Sequence, residues 1–233
     1  MAAITLRGGS SESDAPPAHL RGAAPLPFAE VISLDLAAGD QQRLASLRTA
    51  YRAVTDVGDG GIAAWLGLGE SMLSSTVERP RQLRRMPAFA GDVLDPAQSH
   101  GDLLVQITGP SPRAVRSSAE RILDPLPQWQ VRWRISGVRP ENRTEDGKGL
   151  SLNPFHFTEG HGNPATPAGI TERATVTAGQ KEPSWAVGGS YQVIRIVRLA
   201  TASGTGTPSP SRNASSAAAG MSRFSDPFRS CGY

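Results

Sequence analysis

The chain of 233 residues holds one cysteine and four histidines, and only 6% of it is aromatic. Each shortage excludes something. Cys231 has no partner within the chain, so no intrachain disulfide framework can hold the fold, and this agrees with a reducing compartment. No stretch approaches the ~20 apolar residues that a membrane helix needs. The first thirty residues carry no long apolar run, and no twin arginine precedes one. The expectation is a soluble, cytoplasmic protein with no membrane partner. Charge of one sign is also scarce, because 24 basic residues against 21 acidic ones leave a net of only +3. A nucleic-acid binder would gather its basic residues on one element. The cluster Arg79-Pro-Arg-Gln-Leu-Arg-Arg85 reads as a solvated loop, so no nucleic-acid partner is expected.

What is present is enough for a core. Hydrophobic residues make up 38% of a length that suits one large domain or one and a half small ones. Residues 1 to 27, rich in Gly, Ser, Ala and Pro, read as a flexible N-terminal arm. In Glu30-Val-Ile-Ser-Leu-Asp-Leu36, Ile32, Leu34 and Leu36 alternate with Ser33 and Asp35, the pattern of a half-buried strand. Asp40 is placed to cap a helix whose apolar face is Leu44, Leu47, Tyr51 and Val54, ending at Gly58-Asp-Gly-Gly61. A second strand follows at Ala63 to Gly69, then a long proline-bearing connection from Glu70 to His100. The third strand is Asp102 to Thr108. Ser111 and Pro112 open a second helix in the favoured cap and first-turn positions, with Val115, Ala119, Ile122 and Leu123 facing inward. The fourth strand, Gln130 to Ser136, alternates Val131, Trp133 and Ile135 with Arg132, Arg134 and Ser136.

The order β-α-β-β-α-β predicts an α+β, ferredoxin-like sandwich over 28–140, of the dimeric α+β barrel type. Two helices on one face of a four-stranded antiparallel sheet account for the alternation. Beyond Gly137 the chain is polar and loop-like, and strand character returns at Thr175 to Ala178 and Ser190 to Leu199.

The most chemically loaded stretch is Asn153-Pro-Phe-His-Phe-Thr-Glu-Gly-His-Gly-Asn-Pro164. It concentrates glycine, proline, two histidines and one carboxylate in a segment too irregular for helix or strand. Such a loop can bring its backbone close to a flat ligand while aiming an acid at it. Taken without its neighbours, Glu159 reads as an exposed loop carboxylate. His156 and His161, five residues apart, would need further ligands to hold zinc or non-haem iron, and read as polar loop histidines. The glycines near Gly58 and Gly188 are not phosphate cradles, since the first follow a helix and the second precede a strand. Trp65, Trp133 and Trp185 lie in strands or strand starts, where packing is the default role.

This loop resembles the distal haem loop of the dye-decolorizing (DyP-type) peroxidases, whose usual form is Gly-Phe-x-Asp-Gly-Thr-x-Asn-Pro. Phe157, Gly160, Asn163 and Pro164 match, with His156 where the family has Gly, Glu159 where it has Asp and His161 where it often has Thr. Gly188, Gly189, Ser190, Tyr191, Val193, Arg195 and Arg198 resemble the family's Gly-Gly-Ser-Tyr-x-Val-x-Arg-x-x-Arg strand, and Glu182-Pro-Ser-Trp185 before them fits as well. Pro87 to Asp92 and Gly101 to Gln106 complete a resemblance that covers about residues 28 to 200.

The resemblance implies two ferredoxin-like halves around a haem b pocket, with 141–200 holding the distal loop and the first strands of an incomplete second half. It implies peroxidase chemistry, in which dyes or other reductants are oxidised by hydrogen peroxide. Glu159 then inherits the proton-transfer role of the loop carboxylate, and Phe157, Gly160, His161, Gly162 and Asn163 line the cofactor beside it. In the family an arginine and the proximal histidine come from the second half, beyond the stretch that matches here. No residue of this chain is therefore expected to ligate the iron, and turnover of the chain by itself is expected to be impaired. Deferrochelatase-like handling of haem iron is a further activity within the same family. A reading from a different class is a catalytically silent ferredoxin-like module that binds a partner or self-associates, since an incomplete sandwich leaves apolar surface that a homo-oligomer would cover.

After Ala200 the composition collapses into Thr, Ser, Gly, Pro and Ala, which at face value is a low-complexity tail. A sharper expectation exists. Ser203-Gly-Thr-Gly-Thr-Pro208 can be encoded so that one restored base turns it into Phe-Trp-Asp-Arg-Asp-Thr, the family's own continuation. Ser209 to Met221 regroup in the same way, so 201–233 are expected to be read out of frame and the chain to be truncated.

Overall fold

The computed structural model describes residues 2–5, 26–37, 42–57, 61–73, 78–139, 164 and 166–197. Within 26–139 the order is β2 (Phe28–Leu36), α1 (Arg43–Thr55), β3 (Ala63–Leu68), β4 (Leu103–Gly109), α2 (Pro112–Leu123) and β5 (Trp129–Val138). These strands lie in the order β5-β2-β4-β3, every pair antiparallel. That is the α+β, ferredoxin-like arrangement expected from the alternation of strand and helix patterns.

The sheet does not stop at four strands. β1 (Ala2–Thr5) pairs with β3 and β6 (Ser190–Val193) pairs with β1, giving six strands in the order β5-β2-β4-β3-β1-β6. Residues 2–5 belong to the stretch read from composition as a flexible arm, and this is corrected. The free edge of β3 offers unpaired backbone groups, and a short strand satisfies them whatever its side chains. The strand expected at Thr175 to Ala178 is also absent. Helix α3 (Pro167–Ala174) and a 3-10 turn at Ala178–Gln180 flank it, and Val176 instead exchanges backbone bonds with Gly188 and Gly189, both 2.8 Å. The strand expected over Ser190 to Leu199 is confined to Ser190–Val193 among the described residues.

The helix signals differ in their accuracy. Ser111 caps α2 by accepting from the Ala114 amide at 3.2 Å, and Val115, Ala119 and Ile122 are buried as expected. In α1 the expected cap Asp40 and the glycines Gly58 and Gly60 lie outside the described residues. Its inward face is Ser46, Ala50 and Val54, whereas Leu44 is 60% exposed and Leu47 and Tyr51 are only half-buried. Small side chains at four-residue spacing let the helix lie close on the sheet. Leu47 and Tyr51 pack against the core beside that face, and only Leu44 is turned to solvent.

Both faces of the central strands are covered. All seven residues of β4 are buried, as are six consecutive residues of β2. The helix face joins Ile32, Leu34, Leu103 and Ile107 to Val115 and Ile122, each burying a side chain worth about 1.5–3 kcal/mol. On the opposite face Val31, Leu104 and Trp133 pack with Ile194, just past the end of β6. The expected single-sided pattern of β5 is corrected by a register shift between Ser33 and Leu34. It leaves Trp133 in the second cluster and Val131 48% exposed.

Candidate functional site

Phe157, Glu159, Gly160, His161, Gly162 and Asn163, together with His156, lie outside the described residues. On the C-terminal side of that loop the chain is anchored. Thr166 caps α3 by accepting from the Gly169 amide at 3.1 Å, and Pro164 packs against the same glycine, whose added Cβ would lie 3.3 Å from the proline Cβ.

The other motifs of the resemblance are described, and the fold brings them together in pairs. Pro87 to Asp92 forms a tight turn. Asp92 donates its amide to the Phe89 carbonyl and accepts the Phe89 amide on Oδ2, both at 3.0 Å, and Gly91 takes φ +87°. The other carboxylate oxygen, Oδ1, accepts from Arg195 at 2.6 Å, and the same guanidinium sits 5.1 Å above the Phe89 ring. The turn and the strand exit, 103 residues apart in sequence, thus share one cation. The pairing carries a charge-assisted bond and a cation–π contact. Sequence reading noted both motifs but not their contact, because nothing in either string specifies the other as its partner.

The approach to β6 is tied down in the same manner. The Arg81 amide donates to Glu182 Oε2 at 2.7 Å, and Trp185 Nε1 donates to the Glu78 carbonyl at 3.1 Å. Tyr191 comes next, on β6. Burial, with the negative charge of Glu182 adding to it, pushes its phenol up to about 12. Glu182 and Trp185 therefore dock 182–191 on the 78–83 loop.

Gly101 to Gln106 has a structural meaning too. Asp102 Oδ2 accepts the Leu36 amide at 2.9 Å, and Oδ1 accepts the Ser71 hydroxyl at 2.5 Å. Its backbone binds Leu34 and Gly69, both at 2.8 Å. One aspartate thus ties the ends of β2 and β3 to the start of β4. Gly101, at φ +132°, leaves no room for a side chain, since an added Cβ would fall 1.9 Å from Ser33 Oγ. His100 before it has φ +63°, and its carbonyl accepts from Ser33 Oγ (2.7 Å) and Trp133 Nε1 (3.0 Å). Burial lowers the His100 imidazole below its usual range, helped by the charges of Arg85 and Arg132.

Glu30 is a buried carboxylate on the helix face, 2% exposed, and is met there by Arg134, which also reaches Glu120 at 3.0 Å. Burial lowers the Arg134 guanidinium from its ordinary value. A charge so placed needs its partner, and the Arg134 contact with Glu120 also fastens α2 to β5.

Among the described residues no three His, Cys, Asp or Glu side chains converge on a metal position. Nor is any described helix long and apolar enough to cross a membrane. An apolar groove between α1 and β3 encloses about 280 Å³, below the ~300–1,000 Å³ usual for pockets that enclose a cofactor-sized ligand. That groove is therefore not a haem site.

Comparison with known proteins places the fold. Residues 27–139 match the family model described as Dyp-type peroxidase, N-terminal. Deferrochelatase from Escherichia coli K12 is 32% identical over 126 residues, covering 52% of this chain and 30% of that protein. Ferric DtpA from Streptomyces lividans superposes with a TM-score of 0.55 at 25% identity, over 66% of this chain and 48% of that one. A DyP-type peroxidase from Cellulomonas bogoriensis gives 0.62 at 20% identity, over 74% and 53%, and supports the fold alone. The chain thus spans under a third of the curated relative and about half of the solved ones. Its residues 27–139 belong to the family of Dyp-type peroxidase N-terminal domains.

Proposed function

We propose that this chain carries the N-terminal domain and distal loop of a haem-dependent DyP-type peroxidase, which oxidises dyes or other reductants with hydrogen peroxide. The observation that supports it best is the joining of two family motifs by Arg195. The Pro87 to Asp92 turn and the Gly188 to Arg198 strand, recognised separately in sequence, share that guanidinium through Asp92 and Phe89.

When bound, haem would supply the redox chemistry of peroxide reduction. To Glu159 we assign the transfer of the peroxide proton, a role that suits a carboxylate held close to its target. Phe157, Gly160, His161, Gly162 and Asn163 are assigned to the wall around it. Glu159 is one methylene longer than the family's aspartate, so its carboxylate needs a loop set back by about 1 Å, a displacement to which catalytic geometry is sensitive. The fifth iron ligand is assigned to polypeptide outside the matched region. The chain by itself is accordingly assigned weak haem affinity and impaired turnover. The reaction is placed in the cytoplasm.

The deferrochelatase relative makes iron handling the second reading within the same family. A peroxide-driven dye assay separates the two. The chain is mixed with haem, with imidazole as an external iron ligand, and hydrogen peroxide and an anthraquinone dye are then added. The peroxidase reading expects bleaching above the protein-free mixture and a fall of about 10²-fold or more in Glu159→Gln. Iron release without bleaching supports the deferrochelatase reading. No difference from the protein-free mixture refutes both.

A further inference from the structure

We infer that β1 is a removable strap. Its place between β3 and β6 decides whether Ser190–Val193 stays on the sheet, so release of the N-terminal strand frees β6 and leaves the βαββαβ unit folded. The inference does not rest on the peroxidase reading.

The sheet order carries it. β1, the first strand in sequence, lies between β3 and β6. All four residues of β6 pair with it: Val193 with Ala2, Gln192 with Ala3, Tyr191 with Ile4 and Ser190 with Thr5. Among the described residues β6 pairs with no other strand. On its other side β1 meets β3, with Ile4 opposite Leu68 and Thr5 opposite Gly67. Both contacts are antiparallel, so β3 and β6 run parallel to each other, two strand spacings apart. One spacing is ~4.7–4.9 Å, and a backbone hydrogen bond cannot bridge two. Once β1 leaves, β6 has no neighbouring strand to join.

Closing the gap would require β6 to move by one strand width, and its exit opposes this. Ile194 is buried with Val31, Leu104 and Trp133, and Arg195 holds Asp92 Oδ1 at 2.6 Å. These anchors lie one and two residues beyond the strand. They are side-chain contacts, and they leave the amides that β6 directs at β1 without acceptors.

The strap can open without the core. β1 has four residues, against nine in β2 and seven in β4, and residues 6–25 separate it from β2 in sequence. Its departure removes no pair from the β5-β2-β4-β3 part of the sheet. Segments held by few contacts open at a lower free energy than the core they lie on.

The test is native-state hydrogen exchange, read amide by amide, on the full chain and on Ile4→Pro. Ile4 is paired on both sides, and proline removes its ladder donor from a position that a central strand does not tolerate. The expected result is at least tenfold faster exchange of the β6 amides that bond β1, with the amides of Leu103–Gly109 within twofold. Ile4→Val, which keeps every backbone group, should leave both sets within twofold. Unchanged exchange in β6 of Ile4→Pro overturns the proposal, because the side-chain anchors would then hold the strand by themselves. Equal acceleration in β6 and β4 also overturns it, because β1 would then belong to the cooperative core. A tenfold loss in Ile4→Val would trace the effect to the side chain and overturn it as well.

Discussion

The βαββαβ unit over 26–139 and the segment 166–197 are held in different ways. In the first, Ile32, Leu34, Leu103, Ile107 and Ile122 are wholly withdrawn from water, and the strand pairs run for six to nine residues. In the second, α3 has eight residues and β6 four; Val176 and Ala186 join the edge of the main core and Ile194 the smaller cluster, and polar ties from Glu182, Trp185 and Arg195 hold the rest. Burial makes the first region cooperative. The second adheres to it and can loosen first.

Ile107→Ala strikes the shared core. It should cost about 2–5 kcal/mol and unfold both regions in one transition, read by denaturant titration. Two separated transitions would show that the second region does not depend on the first. Gly101→Ala comes next, at about 2–4 kcal/mol, because its Cβ collides with Ser33 Oγ in a backbone conformation that L residues avoid. Arg195→Ala sharpens the contrast. It should cost about 1 kcal/mol and raise amide exchange in 182–197 and at Asp92, leaving β2 and β4 protected. Uniform deprotection of the sheet would show the tie to be part of the core.

Two titrations probe the ties more gently. The Tyr191 phenol, raised to about 12 in the folded chain against 10 unfolded, keeps its proton longer when folded. Its contribution is therefore present below pH 10 and is lost as pH rises toward 12. Tyrosinate absorbance should show a late step that Tyr191→Phe abolishes. His100 has the smallest effect and the opposite direction. Its lowered folded value means the unfolded chain binds the proton first, so its contribution is present above pH 6.5 and is lost as pH falls below it. His100→Asn, which tolerates the left-handed backbone, should flatten the stability profile there.

The same contrast explains what sequence could reveal. Period-two alternation in β2 and the Ser111-Pro112 cap are local signals, and the sandwich they build is the one observed. In α1 Leu47, Tyr51 and Val54 pack on the core as read, but Leu44 is exposed and Ser46 and Ala50, which an apolar count overlooks, are the more deeply buried, because close approach to the sheet favours small side chains. β1 was hidden because pairing at a free strand edge depends on backbone groups that composition does not register. The bulge that separates Val131 from Trp133 has no sequence mark of its own. Of the site, the matching motifs were legible but the contact from Asp92 to Arg195 was not, since it spans 103 residues. Glu159 and its neighbours lie outside the described residues, so their roles rest on resemblance alone.

The most direct measurement is the ratio of peroxide-driven dye oxidation by the chain and by Glu159→Gln, each loaded with haem and an external imidazole ligand. A ratio of about 10² or more, with the Soret band unchanged between the two proteins, is the predicted result. Equal rates, together with a Soret band no different from that of haem and imidazole without protein, would contradict the account.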